Sequence, residues 1–231
     1  MFELFNKTPI QYGFSTRANG TMFIRSKERD KNLGEYLKTQ DIKPGDVVSA
    51  LLAHGVEVAD VGANHQGQKI NDTDGLVTNQ SGVYLTVTGA DCFPVFAYSP
   101  SGVVGIAHVG WPGAQKNIVS ELVAKMKLLG AELENILIGI GPGLQKCHFE
   151  IQQDVADFFE QYEGVVKNTK GKKYLNLPEF ISQQLEEAGV LRKNIEISPE
   201  CTHCEQDKYF SYRRDKSEEV QAMVAYIGLL W

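Results

Sequence analysis

The sequence predicts an α/β fold in one domain spanning residues 1–231, on three observations. Short, β-branched apolar runs alternate with longer segments of helical periodicity through the middle of the chain. No internal repeat, low-complexity stretch or linker interrupts that alternation. With 42% hydrophobic and 23% charged residues in 231, the composition is that of an ordinary globular chain with enough apolar material for one sizeable core.

Residues 12–17 read as a short strand that turns at Ala18-Asn19-Gly20, and Asp30-Lys31-Asn32-Leu33-Gly34 as a polar loop. After Lys43-Pro44-Gly45, Asp46 can cap a helix in which Val47, Val48, Leu51 and Leu52 recur at helical spacing, and Gly55 stops it. Residues 56–61 give a strand that delivers the chain to Ala63-Asn64-His65-Gln66-Gly67, and Asp72-Thr73-Asp74-Gly75 then turns into the apolar Leu76-Val77. Residues 87–96 and 103–109 each read as a buried strand, joined by the turn Tyr98-Ser99-Pro100-Ser101-Gly102. Residues 114–129 place Ile118, Leu122, Val123, Met126 and Leu129 on one face of a helix ended by Gly130. Ile136-Leu137-Ile138-Gly139-Ile140 is a buried strand, and a helix follows around residues 155–162. Another helix opens at Leu177-Pro178, with Ile181, Leu185 and Ala188 inward and Gly189 as its stop. Residues 209–212 and 223–229 read as the last strands.

Composition narrows the function. No apolar run is long enough to span a bilayer, and Met1-Phe2-Glu3-Leu4-Phe5-Asn6 lacks the basic start and apolar core of a signal peptide, which predicts a cytoplasmic chain without membrane partners. A formal charge of -6 argues against general nucleic-acid binding, which needs clustered Lys and Arg. Four cysteines in such a chain point to metal-binding, reactive or buried thiols more than to disulfides.

The reactive groups concentrate in the central pair of strands. Cys92 sits between an acidic residue and Phe93-Pro94, and His108 stands at the end of its strand before Gly110-Trp111. Paired strands run about 5 Å apart, so a thiol and an imidazole on neighbours can converge on one point. That suits a metal site or a Cys/His nucleophilic pair. His54 is expected in the last turn of a helix, offsetting its dipole. Cys201-Thr202-His203-Cys204 is a C-x-x-C, a weak signature as a single pair. Arg213 and Arg214 can hold an anion, and on a strand only one of them would face the site.

Phe14-Ser15-Thr16-Arg17, Asn32-Leu33-Gly34, Asp74-Gly75-Leu76-Val77-Thr78, Ala90-Asp91-Cys92-Phe93-Pro94-Val95, Ala107-His108-Val109-Gly110-Trp111, Ile140-Gly141-Pro142, Phe149-Glu150, Cys201-Thr202 and Phe210-Ser211-Tyr212-Arg213-Arg214-Asp215 together resemble the bacterial laccase-domain family. The resemblance spans nearly the whole chain. Members have been described as multicopper polyphenol oxidases, as zinc-dependent purine nucleoside phosphorylases with adenosine deaminase activity, and in one branch as a peptidoglycan-editing factor. It implies a single layered domain of mixed β-sheets with flanking helices, similar to cysteine hydrolases, that acts on a small nucleoside or sugar-containing substrate as a monomer or homodimer. It also implies a metal, zinc before copper, held by His65, Cys92 and His108, the same residues being the catalytic ones. Three such ligands leave a fourth tetrahedral position open, as in catalytic zinc sites. Substrate contacts would fall to Arg17, Asn32, Asp91, Trp111 and Arg213, and Cys147 and His148 to packing.

The chain departs from the family pattern in three places. Pro112 stands where a basic residue usually follows the Trp. Gln66 separates His65 from Gly67, where the family's first histidine is usually followed directly by glycine. Ser217-Glu218-Glu219-Val220 replaces a Gly-Arg. The lost cations motivate one alternative, a binding protein without turnover. A cysteine hydrolase with Cys92 as nucleophile and His108 as base is another. Multicopper oxidation is least favoured, because four coppers need many imidazoles and the chain has five His.

Overall fold

The longest apolar runs of the chain form two adjacent strands whose fourteen positions are all buried, and the remaining elements are laid on either side of them. The computed structural model describes residues 2–230. In chain order the elements are β1 (Ile10–Phe14), α1 (Arg29–Thr39), β2 (Val47–Ala50), β3 (Val58–Asp60), β4 (Lys69–Ile70), β5 (Gly75–Thr78), β6 (Tyr84–Gly89), β7 (Phe93–Ser99), β8 (Val103–Val109), α2 (Trp111–Gln115), α3 (Ile118–Leu128), β9 (Leu137–Ile140), β10 (Glu150–Ile151), α4 (Gln153–Phe159), β11 (Val166–Thr169), β12 (Lys172–Leu175), α5 (Leu177–Glu187), β13 (Ile195–Ile197), α6 (Tyr212–Asp215) and β14 (Met223–Leu229). Two mixed sheets carry the fold, one ordered β1-β14-β6-β2-β4 and one ordered β13-β9-β7-β8-β5-β3; β10, β12 and β11 make a small third sheet. Among the described residues no helix is long and apolar enough to cross a membrane.

Strand alternation sorts the side chains of β8 into two cores. Val103, Ala107 and Val109 pack with Ile118, Leu122 and Phe180 on the side covered by α3 and α5. Val104 and Ile106 face the five-stranded sheet, sharing a core with its Leu85, Val87, Ala225 and Ile227. His108 shares their parity, so it enters the space between the two sheets. The outer face of the five-stranded sheet is covered by α1, through Leu33, Tyr36 and Leu37 against Tyr84, Val224 and Tyr226. The layers therefore run helix, sheet, sheet, helix, which is the mixed α/β architecture expected from the sequence.

Several local expectations are corrected. Residues 30–34 lie in α1, not a loop: Leu33, Tyr36 and Leu37 supply the i, i+3, i+4 stripe while the polar neighbours face solvent. The helix expected from Asp46 to Gly55 is replaced by a 3-10 turn and β2, whose four residues are all buried and pair parallel with β6. Val47 and Val48 fit a pleated strand better than a helix, and pairing with β6 decides the matter. Residues 87–96 are not one strand, since β6 and β7 belong to different sheets. Residues 114–129 are two helices, because Asn117 is left-handed (φ 65°) between α2 and α3. Residues 212–215 form the short α6, with Ser211 Oγ accepting from the Arg214 N–H, so Arg213 and Arg214 are not strand neighbours.

Candidate metal centre

Cys92 lies where the chain crosses from the five-stranded sheet to the six-stranded one, between the ends of β6 and β7. The crossing needs a sharp reversal, and Asp91 makes it at φ 87°, a region that L residues adopt only when held there. The restraints are evident. Asp91 Oδ1 accepts from Thr202 Oγ1 at 2.6 Å, Oδ2 from the Arg213 N–H at 2.6 Å, and its carbonyl from the Leu144 N–H at 2.8 Å. Gly110 lets the loop after β8 close over the thiol, for a Cβ there would come within 2.8 Å of Cys92 Sγ.

Register places His108 opposite Pro94, two residues beyond Cys92. Its Nδ1 lies 2.7 Å from the Thr88 carbonyl oxygen, which can only accept, so Nδ1 carries the proton and Nε2 the lone pair. That Nε2 is buried and has no hydrogen-bond partner. The third group is His54. Its ring meets that of His108 edge to face, centroids 5.1 Å apart, and donor atoms of His54, Cys92 and His108 all fall within 4.8 Å of one another. Buried Asp74 holds this corner. Its carboxylate accepts from the backbone N–H groups of Ala53, His54 and Gly55 at 2.7–3.2 Å, and its carbonyl accepts from the His108 N–H at 2.7 Å. Like Asp91, His54 has a positive φ, 57°.

His65, expected as the third ligand, is elsewhere. It ends the 3-10 turn Ala63–His65, and its Nδ1 accepts from the Gly62 N–H at 3.1 Å. That turn follows β3, which pairs Asp60 with Val77, and β5 pairs Val77 with Gly105. Gly105 is roughly 10 Å down β8 from His108, and the chain continues away. The residues before β3 lie at the other end, where Gly75 pairs with Ala107. His54 is followed directly by Gly55, the pattern that the resemblance implies for a first histidine ligand, and that dipeptide is the signal the sequence carried.

The expected substrate contacts divide. Trp111, one residue past Gly110, and Arg213 line a common cavity of about 340 Å³ with Phe149, Gln152 and Val155. Arg213 Nη1 is braced on the carbonyls of Glu150 (2.9 Å) and His148 (3.4 Å). Asp91 is structural to the Cys92 loop. Arg17 is paired with Asp215 at 2.7 Å and lies over Phe210, and Asn32 on α1 donates to the Thr21 carbonyl; neither joins the Cys92 cluster. A larger cavity of about 700 Å³ between β1 and residues 196–200 shares with the Cys92–His108 crevice only Phe14.

Burial, reinforced by the Asp91 and Asp74 charges, pushes the Cys92 thiol up to about 12, and burial with His54 nearby pulls His108 down to about 4. Without a cation at their meeting point both are neutral at ordinary pH, which is not the thiolate–imidazolium couple of an activated cysteine. A dication suits the set: one sulfur and two imidazoles, an orphaned buried Nε2 with its tautomer fixed, and backbone restraints on two of the three ligands. A second set, Cys147, His148, Cys201 and Cys204, also converges, although the sequence left its members to packing or a weak motif.

The model of the multi-copper polyphenol oxidoreductase laccase family matches residues 25–230. Among curated relatives, a purine nucleoside phosphorylase of Staphylococcus epidermidis is 31% identical over 255 residues, covering 98% of this chain and 94% of that one. Purine nucleoside phosphorylase YlmD of Geobacillus stearothermophilus is 32% identical over 190 residues, 76% of this chain and 69% of the relative. The crystal structure of YlmD from Geobacillus stearothermophilus superposes with a TM-score of 0.92 at 26% identity, over 100% of this chain and 94% of that one. The Bacillus licheniformis hypothetical protein YfiH gives 0.89 at 26% identity, over 95% and 92%.

Proposed function

Because the chain belongs to the multi-copper polyphenol oxidoreductase laccase family, several of whose curated relatives are named purine nucleoside phosphorylases, we propose that it cleaves purine ribonucleosides by phosphorolysis at a zinc site formed by His54, Cys92 and His108. The observation that carries the reading is the convergence of these three donors with His108 Nε2 buried and unpartnered. A zinc ion held by His54, Cys92 and His108 would supply a Lewis acid there.

The protein's own groups bind and orient. The half-exposed Trp111 offers an aromatic face for a purine, and Arg213 offers a guanidinium for phosphate in the same cavity. In the reaction a phosphate oxygen bonds to the anomeric carbon as the glycosidic C–N bond breaks. The base leaves with the electron pair and takes a proton. Thr88 keeps His108 in the Nδ1–H form, and Asp74 keeps the His54 loop against it. Pro112 occupies the first turn of α2 where the family usually has a cation, which leaves Arg213 as the anion-binding group in this cavity lining.

The cysteine-hydrolase alternative has less support, since Cys92 and His108 are both held neutral by burial. Incubating the zinc-loaded protein with adenosine and with inosine, with and without phosphate, tests the proposal. Phosphate-dependent release of free base together with ribose 1-phosphate is expected. Inosine from adenosine without phosphate would instead reveal deamination, and untouched nucleosides in every arm would overturn the reading.

A further inference from the structure

We propose that Cys147, His148, Cys201 and Cys204 form a second metal site, a closed Cys3His tetrahedron of structural zinc type that clamps the loop after β9 to the loop after β13. The four donors lie within 4.8 Å of one another. Tetrahedral zinc with Zn–S about 2.3 Å and Zn–N about 2.0–2.1 Å sets donor edges of about 3.8 Å between sulfurs and about 3.6 Å between sulfur and nitrogen. Cys147 Sγ lies 3.6 Å from Cys201 Sγ and 3.7 Å from Cys204 Sγ, and His148 Nδ1 lies 3.3 Å from both Cys147 Sγ and Cys204 Sγ. Four independent edges thus fall within a few tenths of an ångström of one polyhedron. The sulfurs are far outside the disulfide length of about 2.05 Å, and all are free thiols.

The surroundings fit a cluster of three thiolates on a dication, which carries net negative charge. Arg214 Nη1 donates to the Thr202 and His203 carbonyls, and Arg213 Nη1 to that of His148, so two guanidiniums back the ligand loops. The His203 ring stacks on His148, centroids 3.9 Å apart and planes 13° from parallel, fixing the ligand ring. Cys201 is buried while Cys147 and Cys204 are exposed, which anchors the set and leaves an entry path.

A bridge between Gly143 and Cys201 already brings the loops together, and Thr202, between the two cysteines of the C-x-x-C, donates to Asp91. The clamp therefore supports the loop of Cys92 from behind.

The test is metal content of reduced protein together with cobalt spectra. C147S, C204S and C147S/C204S alter exposed positions, so folding should survive, as far-UV circular dichroism will verify. Wild type should hold two zinc ions per chain, C92S and C147S/C204S one each. In the cobalt form, the intense thiolate charge-transfer absorption should persist in C92S and fall severalfold in C147S/C204S. One zinc per chain that is lost in C92S and kept in C147S/C204S would overturn the proposal. So would a native disulfide among these cysteines with no second metal after reduction. Failure of this site and failure of the proposed reaction remain distinguishable, because metal content of C147S/C204S reads the first and phosphate-dependent base release by wild type reads the second.

Discussion

Two non-glycine residues with positive φ stand at the proposed centre, His54 as a ligand and Asp91 beside the ligand Cys92, and each is held by hydrogen bonds that another segment supplies. Asp91 offers a direct check. Asp91→Ala loses charge-assisted hydrogen bonds worth about 1.5–3 kcal/mol, and keeps the left-handed strain. Asp91→Gly loses the same bonds but relieves the strain, so urea denaturation should find it more stable than Asp91→Ala by about 1 kcal/mol. An Ala variant as stable as the Gly variant would show that the turn is unstrained. Asp74→Asn should cost activity about 10–100-fold by loosening the three amides that seat His54. Unchanged kcat/KM would remove Asp74 as a positioning residue.

At the scale of elements, the sequence made β8, α5 and β14 legible because each carries an apolar pattern of a single periodicity. It misplaced His54 for a physical reason: Val47, Val48, Leu51 and Leu52 satisfy a helical spacing, whereas parallel pairing with β6 is a long-range choice that local spacing does not encode. The Cys147–Cys204 cluster was illegible for a similar reason, as its halves meet through a bridge between distant loops. Packing of α3 on β8 is testable in the same terms. Leu122 is fully buried against Gly105, and Leu122→Ala should cost about 2–5 kcal/mol by urea denaturation; a loss under 1 kcal/mol would mean the interface collapses to fill the space.

At the scale of the whole molecule, the two sheets and the C-terminal loop are tied across nearly the full length of the chain. Arg17, next to β1, pairs with Asp215 in α6. Burial alone would raise the Asp215 carboxyl, but hydrogen bonds from Arg214 and the Ser211 amide, with Arg17 alongside, hold it below the usual carboxylate range. A pKa lowered by folding adds stability above the unfolded carboxylate value, and that stability is lost as pH falls through the folded one. Wild type should therefore exceed Asp215→Asn in urea midpoint at neutral pH, and the gap should shrink as pH falls below the ordinary carboxylate range. A gap independent of pH would mean that the charge of Asp215 contributes nothing. The same long-range assembly is what brings residues before β3, between β6 and β7, and at the end of β8 to a single point. The most direct test of that convergence is kcat/KM for inosine phosphorolysis in His54→Ala and His65→Ala measured side by side: loss to background in the first with near wild-type activity in the second is the predicted result, and the reverse pattern would contradict the site described here.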